Sequence, residues 1–286
     1  MNGLLLAGWL LALGAPPDTT VALRRGDRVV VQNLSGSVEV RVWDRPELAV
    51  EGWGEELVNL GVERSGERLL VGSTDRKGRG LDVEVRLRIP PWASLEIRGR
   101  ELDVTVTGTQ SDLQVHTVEG TITASQVGGV VTLTTVDGEI LVEDATGKVS
   151  ARSRGEDVTL RRVRGDVEAH SGSGDVVLEE MAASSLRAET LDGDLRFEGS
   201  LSRSGSYWFS VHDGDADLTL PAGTGATVRV ATFDGEFTSD FPVTLQGYGG
   251  GGVFDFVLGD GGARLEIQVF DGEIHLFQAA GSGVRR

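Results

Sequence analysis

The sequence predicts an all-β protein whose main part is a parallel β-solenoid (β-helix or β-roll-like), with about 18 residues in each two-strand coil. The first observation is a nine-residue frame in which a turn position is followed by apolar residues two and four places later. The second is that glycine often occupies the turn position; the chain has 41 Gly in 286 residues. The third is that apolar and polar residues alternate with a period of two, which indicates strands, and helical periodicity is nearly absent.

Residues 1–15 are predicted to be an export signal. Residues 4–13 form an apolar run that matches a signal-peptide core and is too short to span a bilayer as a helix. Small residues such as Ala15 offer a cleavage position, although Met1 and Asn2 bring no positive charge; the alternative is a buried strand. The chain has no Cys, so we expect no disulfide and no lipid-attached thiol. We therefore expect an exported bacterial protein, without a transmembrane anchor, that depends on packing alone.

Residues 16–100 are predicted to form a β-rich N-terminal cap or irregular first coils. The segment around Gly36 contains two strand-like runs, and residues 81–89 alternate strictly before Pro90 and Pro91. This region lacks the nine-residue frame. Because an open end of a strand stack is a bare sheet edge, we expect it to cover the first coils.

Residues 101–278 are predicted to be the solenoid, and residues 279–286 a flexible tail. Eight consecutive steps of nine run from position 102 to position 174, and later steps survive in pairs separated by insertions. A single coil cannot bury its apolar face, so the coils must stack and pair as parallel strands. The glycines on the frame in its regular part are Gly120, Gly129, Gly138, Gly147, Gly165 and Gly174.

The formal net charge of −17 restricts the class of partner. A field of this sign repels nucleic acid and anionic membranes, so we expect neither as a partner. Cations or a basic surface would be attracted.

Acidic residues flank the glycine at alternate corners of the predicted coils. One interpretation is structural, because Asp-Gly is a common tight-turn pair and acidic corners discourage edge pairing. The alternative is a ladder of stacked carboxylates that binds Ca²⁺ weakly; no other cofactor is expected. The candidate ladder residues are Asp137, Glu139, Asp192, Asp194, Asp213, Asp215, Asp234, Glu236, Asp271 and Glu273.

A basic cluster and one aromatic residue are the candidate ligand-binding groups. The cluster is interpreted either as a docking patch for an acidic glycan or partner, or as charge that neutralises the acidic corners. The frame turns Tyr207 and Phe209 inward and Trp208 outward, which leaves Trp208 as a single aromatic contact for a sugar. The basic candidates are Arg152, Arg154, Arg161 and Arg162, with Lys148 and Arg164 nearby.

Enzyme motifs are missing from the sequence. We find no His-Glu-x-x-His, no Gly-x-Ser-x-Gly and no phosphate-loop motif. Of the four histidines, we expect His212 to face the core and the others to face solvent. The alternative that stays open is a polysaccharide lyase or hydrolase on the same scaffold, since such enzymes need only a few carboxylates and basic groups.

Several segments resemble a known family. The runs "SGSVEV" and "VEVRLRIPPWASLEI", and the repeated "T-V-[DE]-G-x-I" and "DGD" turns, resemble the bacterial "putative adhesin" family of β-strand-repeat proteins. The resemblance covers nearly all of the chain after the export signal and implies the solenoid fold. The family is a domain of unknown function and implies no catalytic residues.

From these observations we predict a non-catalytic adhesion or interaction module of the bacterial cell envelope. It would lie in the periplasm or at the cell surface and bind a glycan or an envelope protein. The alternatives are the polysaccharide-active enzyme and a purely structural rod.

Overall fold

The computed structural model describes residues 18–53, 60–73, 81–243, 246–249 and 252–279, and all regular structure within these ranges is strand. The predicted export signal and all but the first residue of the predicted tail lie outside them. Nowhere in the described ranges does a helix reach the length and apolar content that crossing a membrane would take.

The described residues form 24 strands. The first seven are β1 (Asp18–Ala22), β2 (Arg28–Val42), β3 (Glu47–Trp53), β4 (Leu60–Ser65), β5 (Arg68–Ser73), β6 (Leu81–Ile89) and β7 (Ser94–Thr107). The regular repeats contain β8 (Leu113–His116), β9 (Ile122–Ser125), β10 (Val130–Thr134), β11 (Ile140–Glu143), β12 (Thr146–Arg152), β13 (Val158–Arg161), β14 (Arg164–Ser171), β15 (Val176–Asp192) and β16 (Leu195–Gly199). The remainder are β17 (Ser206–Asp213), β18 (Ala216–Leu220), β19 (Ala226–Asp234), β20 (Phe237–Ser239), β21 (Gln246–Gly249), β22 (Val253–Leu258), β23 (Ala263–Asp271) and β24 (Ile274–Gln278).

The strands stack as two parallel ladders. In what we call the front sheet, β8, β10, β12 and β14 pair in steps of 18 residues, with Leu113, Val131, Val149 and Val167 in register. In the back sheet, β9, β11, β13 and the start of β15 pair with the same step. The prediction of an all-β parallel solenoid is therefore confirmed, because one strand of each sheet makes up one coil.

The core lies between the two sheets. Side chains alternate along each short strand, and the inward ones join one apolar cluster that extends from Leu23 to Leu276. Phe197 of the back sheet and Phe209 of the front sheet meet across this core, with ring centroids 5.2 Å apart. Apolar burial between the sheets, repeated at each coil, is the main source of stability.

Glycine at the corners is required by close approach between coils. Gly165 has a φ of +124°, and a Cβ there would collide with the carbonyl oxygen of Gly147 in the preceding coil. Gly138 has no positive φ, yet its Cβ would collide with the carbonyl oxygen of Gly120. The nine-residue spacing of glycine thus follows from corners stacked at strand-pairing distance.

The order of the coils departs from the order of the chain at the C-terminal end. Strands β17 and β18 pair with β23 and β24, and these in turn pair with β19 and β20. The coil formed last in the sequence is therefore inserted between two earlier ones. Beyond it, β22 pairs antiparallel with β19, and β21 pairs with β22, which covers the end of the front sheet.

The N-terminal end has a related arrangement. Strand β2 lies between β7 on one side and β5 and β6 on the other, all parallel to it. Antiparallel strands then cover the end, with β4 on β5, β3 on β6 and β1 on β3. Both ends thus finish in antiparallel strands rather than in an exposed parallel coil, which limits edge-to-edge association.

Candidate functional site

The acidic corners connect the end of a front strand to the start of a back strand, and they contain two rows of carboxylates. In the inner row, each Asp accepts a hydrogen bond from a backbone N–H of the next coil. Asp157 accepts from Asp175 at 2.8 Å, Asp175 from Asp194 at 2.9 Å, Asp194 from Asp215 at 3.1 Å, and Asp215 from Glu273 at 2.8 Å. These carboxylates therefore connect each coil to the next through hydrogen bonds.

The outer row directly precedes the corner glycines. Asp192 is in register with Asp213, Asp213 with Asp271, and Asp271 with Asp234. All four side chains are exposed. The predicted stacking of carboxylates along one edge is therefore present in these coils.

The structure does not gather these carboxylates into a metal site. Within the described ranges, no group of three or more His, Asp or Glu side chains is arranged to hold a metal ion. Asp137 and Glu139 lie at the same type of corner several coils away, and both are exposed. Glu236 is exposed beside Asp234 at the last corner of the stack.

The basic residues of the predicted cluster do not come together. Arg152 lies at the end of a front strand and pairs with Glu168 at 2.5 Å, while Arg154 follows it into the acidic corner. Arg161 and Arg162 lie at the opposite edge, where a back strand ends. The arginines of the cluster are thus divided between the two edges of the coil.

At the edge opposite the acidic corners, carboxylates of neighbouring coils neutralise the arginines. Arg161 donates to Glu179 at 2.7 Å, and Arg162 donates to Asp144 at 2.7 Å. The hydrogen bond from Arg162 lowers the pKa of the Asp144 carboxyl below its ordinary value. Arg161 and Arg162 thus neutralise carboxylates at their own edge of the coil, and not the acidic corners that the sequence-based interpretation named.

Trp208 points out of the front sheet, but it is half-buried and one face of its ring is covered. The Arg187 guanidinium lies 3.5 Å from the ring centroid and also contacts Glu189 at 3.3 Å. This is a cation–π contact between neighbouring coils. Tyr207 and Phe209 on either side are buried, as predicted.

Four exposed side chains form a row at the C-terminal part of the acidic edge. We call this row the corner ladder: Leu191, His212, Phe270 and Phe233, each the residue before an outer-row Asp. The register of the flanking residues places them on successive coils. His212 stacks on Phe270 with ring centroids 4.8 Å apart, and Phe270 stacks on Phe233 at 4.8 Å with an interplanar angle of 2°.

The corner ladder brings three of the exposed large apolar side chains together in one row. Phe233 is 78% exposed, Leu191 48% and Phe270 47%. A contiguous apolar strip on an otherwise acidic surface marks an interaction site more often than scattered apolar residues do.

A groove lies beside the corner ladder on the outer face of the front sheet. Its volume is about 450 Å³, within the range of ligand sites. Ladder residues form one side, and both polar and apolar residues line the rest, among them Ser210, Gln268, Ala231 and Val253. The groove thus combines aromatic side chains with hydrogen-bonding groups.

The sequence prediction for His212 is wrong. Val211 is the inward residue at the end of β17, and the chain then turns, so that His212 and Asp213 are both exposed. Alternation stops at the corner, and two consecutive side chains face solvent there. The sequence contains two "FDGE" segments, at 233–236 and 270–273. Their shared Phe before the corner Asp is the pattern that could have predicted the ladder.

His275 lies on the outer face of the back sheet between two carboxylates. Its ring nitrogens are 2.9 Å from Asp217 and 3.0 Å from Glu273. Burial alone would lower the pKa of His275, but hydrogen bonds and charge from Asp217 and Glu273 outweigh it, and the pKa is raised. When it is protonated, His275 offsets the charge of Asp217 and Glu273 at this coil.

Comparison with known proteins gives distant structural relatives and one family. No curated protein matches the chain. A "putative adhesin" from Bacteroides fragilis is similar at 10% identity and a TM-score of 0.47, over 90% of this chain and 95% of that one. A "putative lipid binding protein" from Parabacteroides distasonis is similar at 13% identity and a TM-score of 0.38, over 91% and 96%.

The family comparison covers most of the chain. The profile described as Toastrack DUF4097 matches residues 27–276, from the turn before β2 to β24. The predicted resemblance to a β-strand-repeat domain of unknown function is confirmed by this match. The chain therefore belongs to the Toastrack DUF4097 family.

Proposed function

We propose that this Toastrack chain is a non-catalytic adhesion or interaction module that holds a carbohydrate polymer along the acidic edge of the front sheet. The corner ladder is the observation that carries the proposal. It is an exposed strip of rings stacked on one another over successive coils, next to a groove lined by polar and apolar side chains.

The chemistry of this strip suits a sugar chain. The C–H-bearing face of a pyranose ring packs on an aromatic ring, while its hydroxyl groups need donors and acceptors at the rim. Phe233, which ends the stack of rings and is 78% exposed, offers an aromatic surface, and Ser210 and Gln268 offer the polar groups.

The proposal includes export to the periplasm or the cell surface. The apolar run at residues 4–13 supports this part, as does a chain that folds without any Cys. A glycan of the envelope or of a neighbouring surface is then the ligand within reach.

The test is retention of the purified protein on a broad polysaccharide array, followed over time. We expect stable retention on one glycan class and loss of retention in the double variant Phe233→Ala/Phe270→Ala. The matched control is Phe277→Ala, because Phe277 is also exposed (40%) but lies on β24 in the back sheet, outside the ladder.

The time course separates the other functions. A signal that decays while the glycan is shortened would indicate the polysaccharide-active enzyme instead. No retention on any glycan would contradict the proposal and favour a protein ligand or a structural rod.

A further inference from the structure

We propose that a groove on the outer face of the front sheet, at its N-terminal end, binds a sugar that carries one anionic group, a carboxylate or a phosphate. The inference goes beyond the proposed function, because it concerns a second site and does not depend on the corner ladder. It follows from the juxtaposition of three arginines and a buried carboxylate along one polar groove.

The groove follows the outward side chains of the first strands of the front sheet. The first half of β7 pairs with β8, and the starts of β2 and β5 extend the sheet beyond it. The largest part of the groove has a volume of about 440 Å³, and two smaller parts have about 290 and 120 Å³. Glu96 lines all three parts, which therefore form one groove.

This groove is separate from the corner ladder. Six steps of strand pairing lead from β7 to β17, the strand that ends at His212. At the usual spacing of paired strands these steps span roughly 29 Å. A ligand in the groove can therefore be tested independently of a ligand at the ladder.

Glu96 is an outward-facing residue that is nevertheless buried. Leu95 and Ile97 on either side of it belong to the core, yet Glu96 on the opposite face of β7 is only 6% exposed. Its two carboxylate oxygens lie 3.5 Å from Arg28 and 3.0 Å from Arg98. A buried carboxylate needs such partners, and the same contacts hold both arginines beside the groove.

The contacts with Glu96 leave further donors on both arginines. Arg98 uses its Nε and Arg28 uses one terminal nitrogen, and neither makes another ion pair in the part of the chain that the structure describes. Their side chains are 63% and 48% exposed. Since a guanidinium carries several N–H donors in a planar fork, each arginine can bind an additional oxyanion.

Arg68 adds a third positive charge next to Arg28. The two arginines are directly opposite each other on the parallel strands β5 and β2, and Arg68 is exposed. Within the described ranges Arg68 makes no ion pair. Like charges opposite each other on neighbouring strands repel, so an anion beside them is favoured. Three arginines and two glutamates line this part of the groove, which leaves a positive charge.

The net charge of the protein limits how much negative charge the ligand can carry. Residues 1–100 contain 14 acidic and 14 basic residues, so the formal charge of −17 arises from residues 101–286. A polyanion that extended along the solenoid would be repelled by that part. A ligand with one anionic group meets only the attraction of the arginines.

The smaller parts of the groove can hold the neutral body of the ligand. Gln114 is in register with Glu96, and Thr132 is in register with Gln114 in the next coil. Sugar hydroxyl groups both donate and accept hydrogen bonds, and hydroxyl, amide and imidazole side chains match them. The polar side chains with these groups that line the smaller parts are Gln114, His116, Thr132 and Thr134.

The test compares ligands that differ in charge. Cellobiuronic acid carries a carboxylate where cellobiose has a hydroxymethyl group, and each is titrated into the full chain by calorimetry at low salt. We expect the acid to bind at least about tenfold more tightly, with the preference reduced by added salt. Glucose 6-phosphate should likewise bind more tightly than inorganic phosphate, which lacks the sugar.

Charge-neutral variants identify the residues responsible. Arg68→Gln and Arg98→Gln should each remove most of the preference for cellobiuronic acid over cellobiose. Arg229→Gln is the matched control, because Arg229 is an exposed arginine on β19 of the same sheet, far from the groove. Phe233→Ala/Phe270→Ala should also leave the binding of cellobiuronic acid unchanged.

The remaining outcomes contradict the proposal. Equal affinity for cellobiuronic acid and cellobiose, or no binding of either, would overturn it, as would an unchanged preference in both arginine variants. Loss of binding in Phe233→Ala/Phe270→Ala would place the ligand at the corner ladder instead. Inorganic phosphate that binds as tightly as glucose 6-phosphate would overturn the assignment to a sugar.

Discussion

Single aspartates at the acidic corners act as acceptors between coils, which gives each of them a measurable structural role. Asp175 accepts from the N–H of Asp194, and its other oxygen lies 3.3 Å from Arg196. Asp137, at the same kind of corner but in the outer row, is exposed. A comparison of variants at Asp175 and Asp137 can therefore distinguish the contribution of the hydrogen bond from that of the negative charge.

We expect Asp175→Ala to lower the free energy of unfolding by about 1–2 kcal/mol, because a backbone donor loses its partner. Asp175→Asn should cost less than about 0.5 kcal/mol, since the amide oxygen keeps the acceptor and the exposed ion pair contributes little. Urea denaturation of the two variants, with Asp137→Asn as control, provides the comparison. If Asp175→Ala and Asp137→Asn lowered the free energy of unfolding equally, the inter-coil hydrogen bond would not contribute measurably to stability.

At the scale of the element, each short strand depends on its inward residues. Val149 on β12 is fully buried between Val131 and Val167, whereas Val130 on β10 points outward and is 47% exposed. The two valines are in neighbouring coils of the same sheet. They differ in the face of the sheet they occupy.

We expect Val149→Asp to abolish cooperative folding, because an unpaired buried charge costs several kcal/mol against a total stability of about 5–15 kcal/mol. Val130→Asp should change the unfolding free energy by less than about 0.5 kcal/mol. Circular dichroism during thermal unfolding distinguishes the two. A folded Val149→Asp protein would mean that the inward and outward faces are assigned incorrectly.

The strands were predictable because their burial follows local alternation. Positions two and four after Gly147, Val149 and Ala151, are buried as the frame requires. The corners were less predictable, since alternation stops there and His212 faces solvent instead of the core. The corner ladder was not predicted either, because its rings become neighbours only through the inserted coil that carries Phe270.

At the scale of the whole molecule, the inserted coil makes the C-terminal part of the stack interdependent. Strands β23 and β24 contact β17 and β18 on one side and β19 and β20 on the other. The nine-residue frame could not predict the order in which these coils stack. Every coil has the same inward pattern, so the frame fixes which residues align between coils but not which coils are neighbours. In a stack, each coil is stabilised mainly by its direct neighbours.

We expect removal of residues 263–286 to lower amide protection in β17 and β18, which lose their pairing partners, while β8 to β13 stay protected. Hydrogen exchange followed by mass spectrometry measures both regions in one sample, so the early coils act as the internal control. Unchanged protection of β17 and β18 would mean that β19 and β20 can pair with them directly.

The stacked corners also bear on how the surface chemistry of such a protein can change over time. The distance between coils is set by backbone hydrogen bonds, so the side chain before each corner Asp can be exchanged without altering the spacing of its neighbours. This chain already carries Val136 at that position in an early coil and Phe270 in a late one. The chemistry of the acidic edge can therefore change one substitution at a time, while the backbone scaffold stays constant.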